Sequence, residues 1–107
     1  MWTKEKVEEV VKSHKIVVFG KGSKEQPMCG FTHRAIGIMN QVGKPFEVVN
    51  IFDDESIRPA LVEYSEWPTT PQVFVGGEFV GGSDTALEMF ESGELAKKID
   101  EAFASST

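Results

Sequence analysis

The period of the apolar positions changes several times along the chain. Between Thr3 and Ser13, Val7, Val10 and Val11 recur at helical spacing among Lys and Glu, which predicts an amphipathic helix with Thr3 as its N-cap. Ile16-Val17-Val18-Phe19 is an uninterrupted run of β-formers closed by Gly20, the pattern of a strand covered on both faces. After a polar loop containing Pro27, the helical period returns from about Cys29 to Val42. Phe31, Ala35, Ile38, Met39 and Val42 share its stripe, and Gly43 and Pro45 are stop signals. Residues 46–51 predict a second strand, followed by a helix through Ile57, Leu61 and Tyr64 for which Asp53 is the expected cap. Beyond Trp67-Pro68-Thr69-Thr70-Pro71, residues 72–75 and 78–80 flank Gly76-Gly77, the signature of a hairpin with a two-residue primed turn. Gly81-Gly82-Ser83-Asp84 introduces another helix, and Gly93-Glu94 punctuates a last one reaching about Phe103. A β-α-β unit followed by β-β-α, with a helix in front, predicts an α/β architecture: a four-stranded mixed sheet sandwiched by helices. No repeat, low-complexity tract or linker interrupts it, so residues 1–107 read as one domain.

Charge narrows the partners. Lys and Arg number 11 against 17 Asp and Glu, a formal net charge of −6, which argues against a general nucleic-acid binder because phosphate neutralisation needs clustered cations. No apolar run approaches the roughly 20 residues that span a bilayer, and the start Met1-Trp2-Thr3-Lys4-Glu5-Lys6 lacks the apolar segment of a signal peptide. The expectation is a soluble protein without membrane attachment or organelle presequence.

Cys29 is the single cysteine. It excludes an internal disulfide framework and an all-protein Cys₄ or Cys₂His₂ zinc site, and a free thiol persists best in a reducing intracellular compartment. Its position is chemically informative. At the predicted start of a helix, unpaired N–H donors and the positive end of the macrodipole favour thiolate over thiol, and Lys21 lies in the preceding loop. Thr32 occupies the place where a Cys-x-x-Cys oxidoreductase has its second cysteine. Buried cysteines commonly behave as small hydrophobes, but a loop-to-helix junction beside Gly30 is not an apolar stripe. Other residues are open to plainer readings when taken singly: Lys21 as a solvated loop cation, Arg58 as a partner of Glu55 or Glu63, Asp84 as an N-cap. His33 reads as an exposed helix histidine rather than a metal ligand, and His14 as a helix-end residue favourable to the dipole. Trp67 and Phe31 read as core or rim aromatics, with core packing favoured for Phe31.

Taken together, Lys21-Gly22, Pro27-Met28-Cys29-Gly30-Phe31-Thr32, Trp67-Pro68-Thr69-Thr70-Pro71 and Gly81-Gly82-Ser83-Asp84 resemble the monothiol glutaredoxins of the Cys-Gly-Phe-Ser type, whose fold is thioredoxin-like. Glu63-Tyr64-Ser65 and Ser92-Gly93-Glu94-Leu95 extend the resemblance over nearly the full chain. It implies a glutathione site in which Lys21 and Arg58 hold the glycyl carboxylate, the Thr70 backbone pairs with the cysteinyl unit, and the Ser83 N–H and Asp84 receive the γ-glutamyl end. Pro71 matches a cis-proline of this fold. Three positions depart from the pattern. Thr32 replaces Ser, keeping the hydroxyl and adding a methyl. Ser83 stands where many relatives carry a second cysteine, which removes a resolving thiol. Gly20 stands where relatives often have Met, and is expected to loosen the loop carrying Lys21.

Two functions follow from one thiol. A two-iron cluster takes four thiolates, and this chain supplies one, so Cys29 as a metal ligand requires partners. The resemblance implies that two chains and two glutathiones complete a [2Fe-2S] cluster in a homodimer that is monomeric when apo. The labile cluster would pass to iron–sulfur apoproteins, with a BolA-like protein as a further partner, in bacterial cytoplasm or, for a mature organellar form, plastid stroma or mitochondrial matrix. The alternative is a glutathione-dependent oxidoreductase in which the Cys29 thiolate deglutathionylates proteins, weakly by family resemblance. An interaction module without redox chemistry would leave Lys21, Arg58, Thr70 and Asp84 without a purpose.

Overall fold

Every residue of the strand β1 (Ile16–Gly20) is buried, as its unbroken apolar run requires. It is a central strand of the sheet in this computed structural model, which describes residues 1–104. Along the chain, α1 (Lys4–Ser13) precedes β1, and α2 (Gly30–Val42), β2 (Glu47–Asn50) and α3 (Ile57–Ser65) follow it. The hairpin β3 (Gln72–Val75) and β4 (Glu78–Gly81) comes next, then α4 (Ser83–Ser92) and α5 (Glu94–Ala104). The sheet order is β2-β1-β3-β4, with β1 parallel to β2 and antiparallel to β3, and β3 antiparallel to β4. The expected mixed, helix-sandwiched α/β sheet is therefore present.

Strand alternation builds the core in two layers. Ile16, Val18, Val73 and Val75 face α2, α4 and α5 through Ala35, Ile38, Met39, Ala86, Leu95 and Ile99. Val17, Phe19 and Phe74 face the opposite side, against Val7 and Val11 of α1 and Ile57, Ala60 and Leu61 of α3. Phe19 and Phe74 meet edge to face at 5.7 Å, which aligns the apolar bodies of the two central strands.

Local signals fix most of the ends. Thr3 caps α1 by accepting from the Lys6 N–H at 3.2 Å, and Gly43 closes α2 in the left-handed conformation, its N–H bonded to the Met39 carbonyl. Gly76 and Gly77 both have positive φ, 61° and 83°, as the primed turn demands. One expected cap differs. Ser56, not Asp53, is the N-cap of α3, and the helix begins at Ile57. Asp54 braces the turn by accepting from the Ser56 N–H at 2.8 Å and its hydroxyl at 2.7 Å, which holds its carboxyl below the ordinary range. The Trp2 N–H donates to the same Ser56 hydroxyl at 2.7 Å, which ties the start of α3 to the N-terminal segment.

Candidate functional site

The loop after β1 is fixed on both sides. The Lys21 N–H donates to the Thr32 hydroxyl oxygen at 3.1 Å, and the Lys21 carbonyl accepts from the Met28 N–H at 2.8 Å. Asn50 at the end of β2 accepts from the Gly22 N–H at 3.0 Å. The expected loosening at Gly20 is therefore not found: neighbouring elements hold the backbone that carries Lys21. Gly22 has φ +99°, and a Cβ there would fall 2.4 Å from the Met28 nitrogen, so this close approach of loop to loop requires glycine.

Cys29 sits at the N-cap of α2 with extended backbone and a partly exposed side chain. Its sulfur makes no capping hydrogen bond of good geometry, yet the helix-end donors face it closely enough to bias its protonation. The Thr32 backbone N–H is the largest influence holding the thiol below its ordinary pKa; the Phe31 N–H, the Thr32 hydroxyl and the Lys21 ammonium add to it, against partial burial. The thiolate-favouring helix end expected from sequence is thus present.

The Thr70-Pro71 peptide bond is cis, as expected, and both residues line a cleft of about 600 Å³ that Cys29 also lines. Lys21, Cys29, Arg58, Thr70, Ser83 and Asp84, drawn from the β1–α2 loop, α3, the loop before β3 and the start of α4, all line that cleft. The tertiary structure brings together every site residue named from the sequence. Among the described residues, the cleft lining includes the Cys29 thiol, the cations Lys21 and Arg58, and the N-terminus of α4 with Ser83 and Asp84. A second depression of about 470 Å³ lies at the hairpin turn between Lys12, His14, Lys15, Glu78 and Lys98. Its lining has no thiol, and Lys12 and Lys98 are engaged by Glu8 and Glu78 at 2.9 and 2.8 Å.

Several details depart from expectation. Asp84 lies in the first turn of α4, whose N-cap is Gly82, so it is not itself the cap. Its Oδ1 accepts from Arg34 Nη1 at 2.8 Å, a link between α2 and α4 that the sequence reading missed because the partners are 50 residues apart. Arg58 pairs with neither Glu55 nor Glu63; its Nη2 donates to the Pro68 carbonyl at 3.0 Å. Gln72 was also missed. Its fully buried amide donates to the Trp67 and Thr69 carbonyls at 2.9 and 3.0 Å, so three successive loop carbonyls are held by two side chains. A lone polar residue opening the apolar strand Gln72-Val73-Phe74-Val75 was the available signal. Phe31 is 55 % exposed and lines the cleft instead of the core, since the α2 stripe turns Thr32, not Phe31, inward. Trp67 is a rim residue, 5.8 Å from Phe79, and His33 is exposed.

The family model for glutaredoxin matches residues 16–80, from β1 into the hairpin. A ycf64-like monothiol glutaredoxin of Synechocystis is 46% identical over 103 residues, 96% of each chain. The chain belongs to the monothiol glutaredoxins. The chloroplastic monothiol glutaredoxin-S14 of Arabidopsis thaliana is also 46% identical, over 95% of this chain, which spans 59% of that longer protein. Solved structures agree on the glutaredoxin fold. The reduced apo form of poplar GrxS14 superposes with a TM-score of 0.84 at 45% identity, covering 95% of this chain and 94% of that one. A buckwheat glutaredoxin–glutathione complex also superposes at 0.84, with 27% identity and coverage of 96% and 92%. The family's sheet and its monothiol character are thus both present here, with Cys29 as the thiol. No helix among the described residues is long and apolar enough to cross a membrane.

Proposed function

We propose that this monothiol glutaredoxin binds glutathione along the cleft and, as a dimer, carries a labile [2Fe-2S] cluster to acceptor proteins. The observation that supports this most is the convergence on one cleft of a thiolate-biased Cys29 with Lys21, Arg58, Thr70, Ser83 and Asp84. Glutathione has a carboxylate at its glycyl end, and a carboxylate and an ammonium at its γ-glutamyl end. Lys21 and Arg58 suit the first end, the Thr70 backbone suits the central peptide, and the α4 N-terminus with Asp84 suits the second. The buckwheat protein solved with glutathione supports the choice of ligand.

The cluster is cargo, and the donor set fits only a shared arrangement. Among the described residues no group of three or more His, Cys, Asp or Glu could hold a metal, and Cys29 is a single thiolate. Two chains and two glutathione thiols supply four sulfur ligands. Half of the ligands are then exchangeable small molecules, which favours release to an apoprotein or exchange into a complex with a BolA-like protein. Cyanobacterial and chloroplastic relatives favour a reducing intracellular setting.

The lowered Cys29 pKa also supports a second activity, deglutathionylation. The Cys29 thiolate attacks the glutathionyl sulfur of a mixed disulfide, forming Cys29–S–S–glutathione and releasing the protein thiolate, which takes up a proton. A second glutathione thiolate then attacks that disulfide, releasing oxidised glutathione and regenerating the Cys29 thiolate.

Anaerobic reconstitution with iron, sulfide and glutathione, followed by size-exclusion chromatography, tests the proposal. Colour eluting with a dimer, and loss of both when glutathione is removed, is the expected result. A colourless monomer that reduces a glutathionylated substrate would replace the carrier reading with the oxidoreductase one.

A further inference from the structure

Gln72 opens β3, yet its side chain serves the loop before the strand. It is fully buried, and its amide nitrogen donates to the Trp67 carbonyl at 2.9 Å and to the Thr69 carbonyl at 3.0 Å. Those two acceptors settle which way the amide faces, since the reverse arrangement would set its oxygen against two carbonyl oxygens. That oxygen has no hydrogen-bond partner, and leaving it buried and unpaired is costly. Trp67 and Thr69 are exposed residues whose carbonyls need no buried partner to be satisfied. What the glutamine contributes is therefore the direction in which it turns them.

The Thr69 carbonyl matters most, because it shares one planar peptide unit with the Thr70 N–H. That unit is trans; the cis bond of this segment lies one residue later, at Thr70-Pro71. In a trans peptide the C=O and the N–H point in opposite directions, so a carbonyl turned onto Gln72 turns the Thr70 N–H away from it. The Thr70 N–H makes no hydrogen bond among the described residues, and Thr70 lines the cleft. Pro71 has no N–H, which makes this the last backbone donor before β3. Between the two carbonyls that Gln72 holds, the Pro68 carbonyl is held by Arg58 at 3.0 Å.

We propose that Gln72 is a positioning residue for the ligand: by holding the Thr69 carbonyl it aims the Thr70 N–H, the donor left open to the cysteinyl carbonyl of glutathione. The inference rests on the glutathione reading of the cleft and adds to it a fully buried residue outside the cleft lining. It involves neither Cys29 nor its ionisation.

Amide hydrogen exchange followed by nuclear magnetic resonance tests this, with S-methylglutathione as the probe because its methyl cap blocks disulfide and cluster chemistry. In the parent, the Gln72 side-chain amide protons are expected to exchange far more slowly than those of the exposed Gln26 and Gln41, and the Thr70 N–H to become protected when the probe binds. Gln72→Met, close in length and volume but without a donor, is expected to weaken probe binding about tenfold, the scale of one hydrogen bond, and to leave the Thr70 N–H unprotected at saturating probe. A variant that binds the probe as the parent does, protects Thr70 and differs only in melting temperature would make Gln72 a packing residue and overturn the proposal. Gln72 amide protons that exchange as fast as those of Gln26 and Gln41 would overturn it in the parent alone, which covers a variant that does not fold. A parent that fails to bind the probe would overturn the glutathione reading itself, and this inference with it.

Discussion

Arg34 on α2 and Asp84 on α4 form an ion pair at 2.8 Å, with Asp84 at the γ-glutamyl end of the proposed glutathione site. The pair is exposed, and such pairs contribute little to stability. Its consequence is competition, because the carboxylate that would receive the ligand's ammonium already has a cation beside it. Arg34→Ala is expected to leave the melting temperature nearly unchanged and to tighten glutathione binding about two- to threefold at low ionic strength, with the gain shrinking as salt is added. Calorimetric titration at low and high salt checks this; weaker binding in the variant would assign Arg34 to the ligand itself.

Arg58 is asked to serve two acceptors, the Pro68 carbonyl and a ligand carboxylate. A planar guanidinium has several fixed N–H donors, whereas an ammonium is a compact point charge, so Arg58→Lys is not conservative here. Glutathione affinity is expected to fall about tenfold, the scale of one charge-assisted hydrogen bond. Affinity equal to the parent's would mean that charge alone suffices at this position.

The pH dependence of stability follows from the Cys29 thiol, whose folded pKa is lowered chiefly by the Thr32 N–H. A lowered folded value means that the native state loses its proton before the unfolded state does. The stabilisation is fully present above the unfolded thiol pKa of about 8.5 and is lost as pH falls through the folded value. Denaturant unfolding of the parent and of Cys29→Ser across this window is expected to show the parent gaining stability relative to the variant as pH rises. Parallel curves would mean that the helix end does not select the thiolate.

Gln72 is fully buried, its amide nitrogen bonded to the Trp67 and Thr69 carbonyls and its Oε1 without a hydrogen-bond partner. Gln72→Glu sets a carboxylate against those two carbonyls, at a cost of about 2–4 kcal/mol near neutral pH. Burial raises the new carboxyl's pKa, so the native state binds the extra proton, and the loss is smaller in acid and grows as pH rises through the raised value. Chemical denaturation at acid and neutral pH measures it, and a loss independent of pH would point to packing rather than charge.

The strands, the hairpin with its Gly76-Gly77 turn and the α2 stop at Gly43 were legible because they rest on local rules: β-former runs, primed-turn geometry and left-handed caps. Phe31 was misplaced because it sits beside inward-facing Thr32, and a helical stripe drawn from hydrophobicity prefers Phe to Thr. Asp53 is the cap that the local pattern names, whereas the observed start at Ile57 follows an Asp54–Ser56 turn that the Trp2 N–H, 54 residues away, also holds. The site residues were named through family motifs, not through periodicity, and their convergence could be observed only after folding.

The sequence by itself determined the order of elements, the monothiol at the head of a helix and the family to which the chain belongs, because each is encoded in runs of neighbouring residues. Tertiary structure decided that Arg34 shares Asp84, that Arg58 and Gln72 hold the Trp67-Pro68-Thr69 carbonyls, and that Gly20 makes room for the Thr32 methyl. These are contacts between residues distant along the chain, set by side-chain volume and donor geometry once the sheet has brought the segments together. No local pattern of polar and apolar positions contains that information.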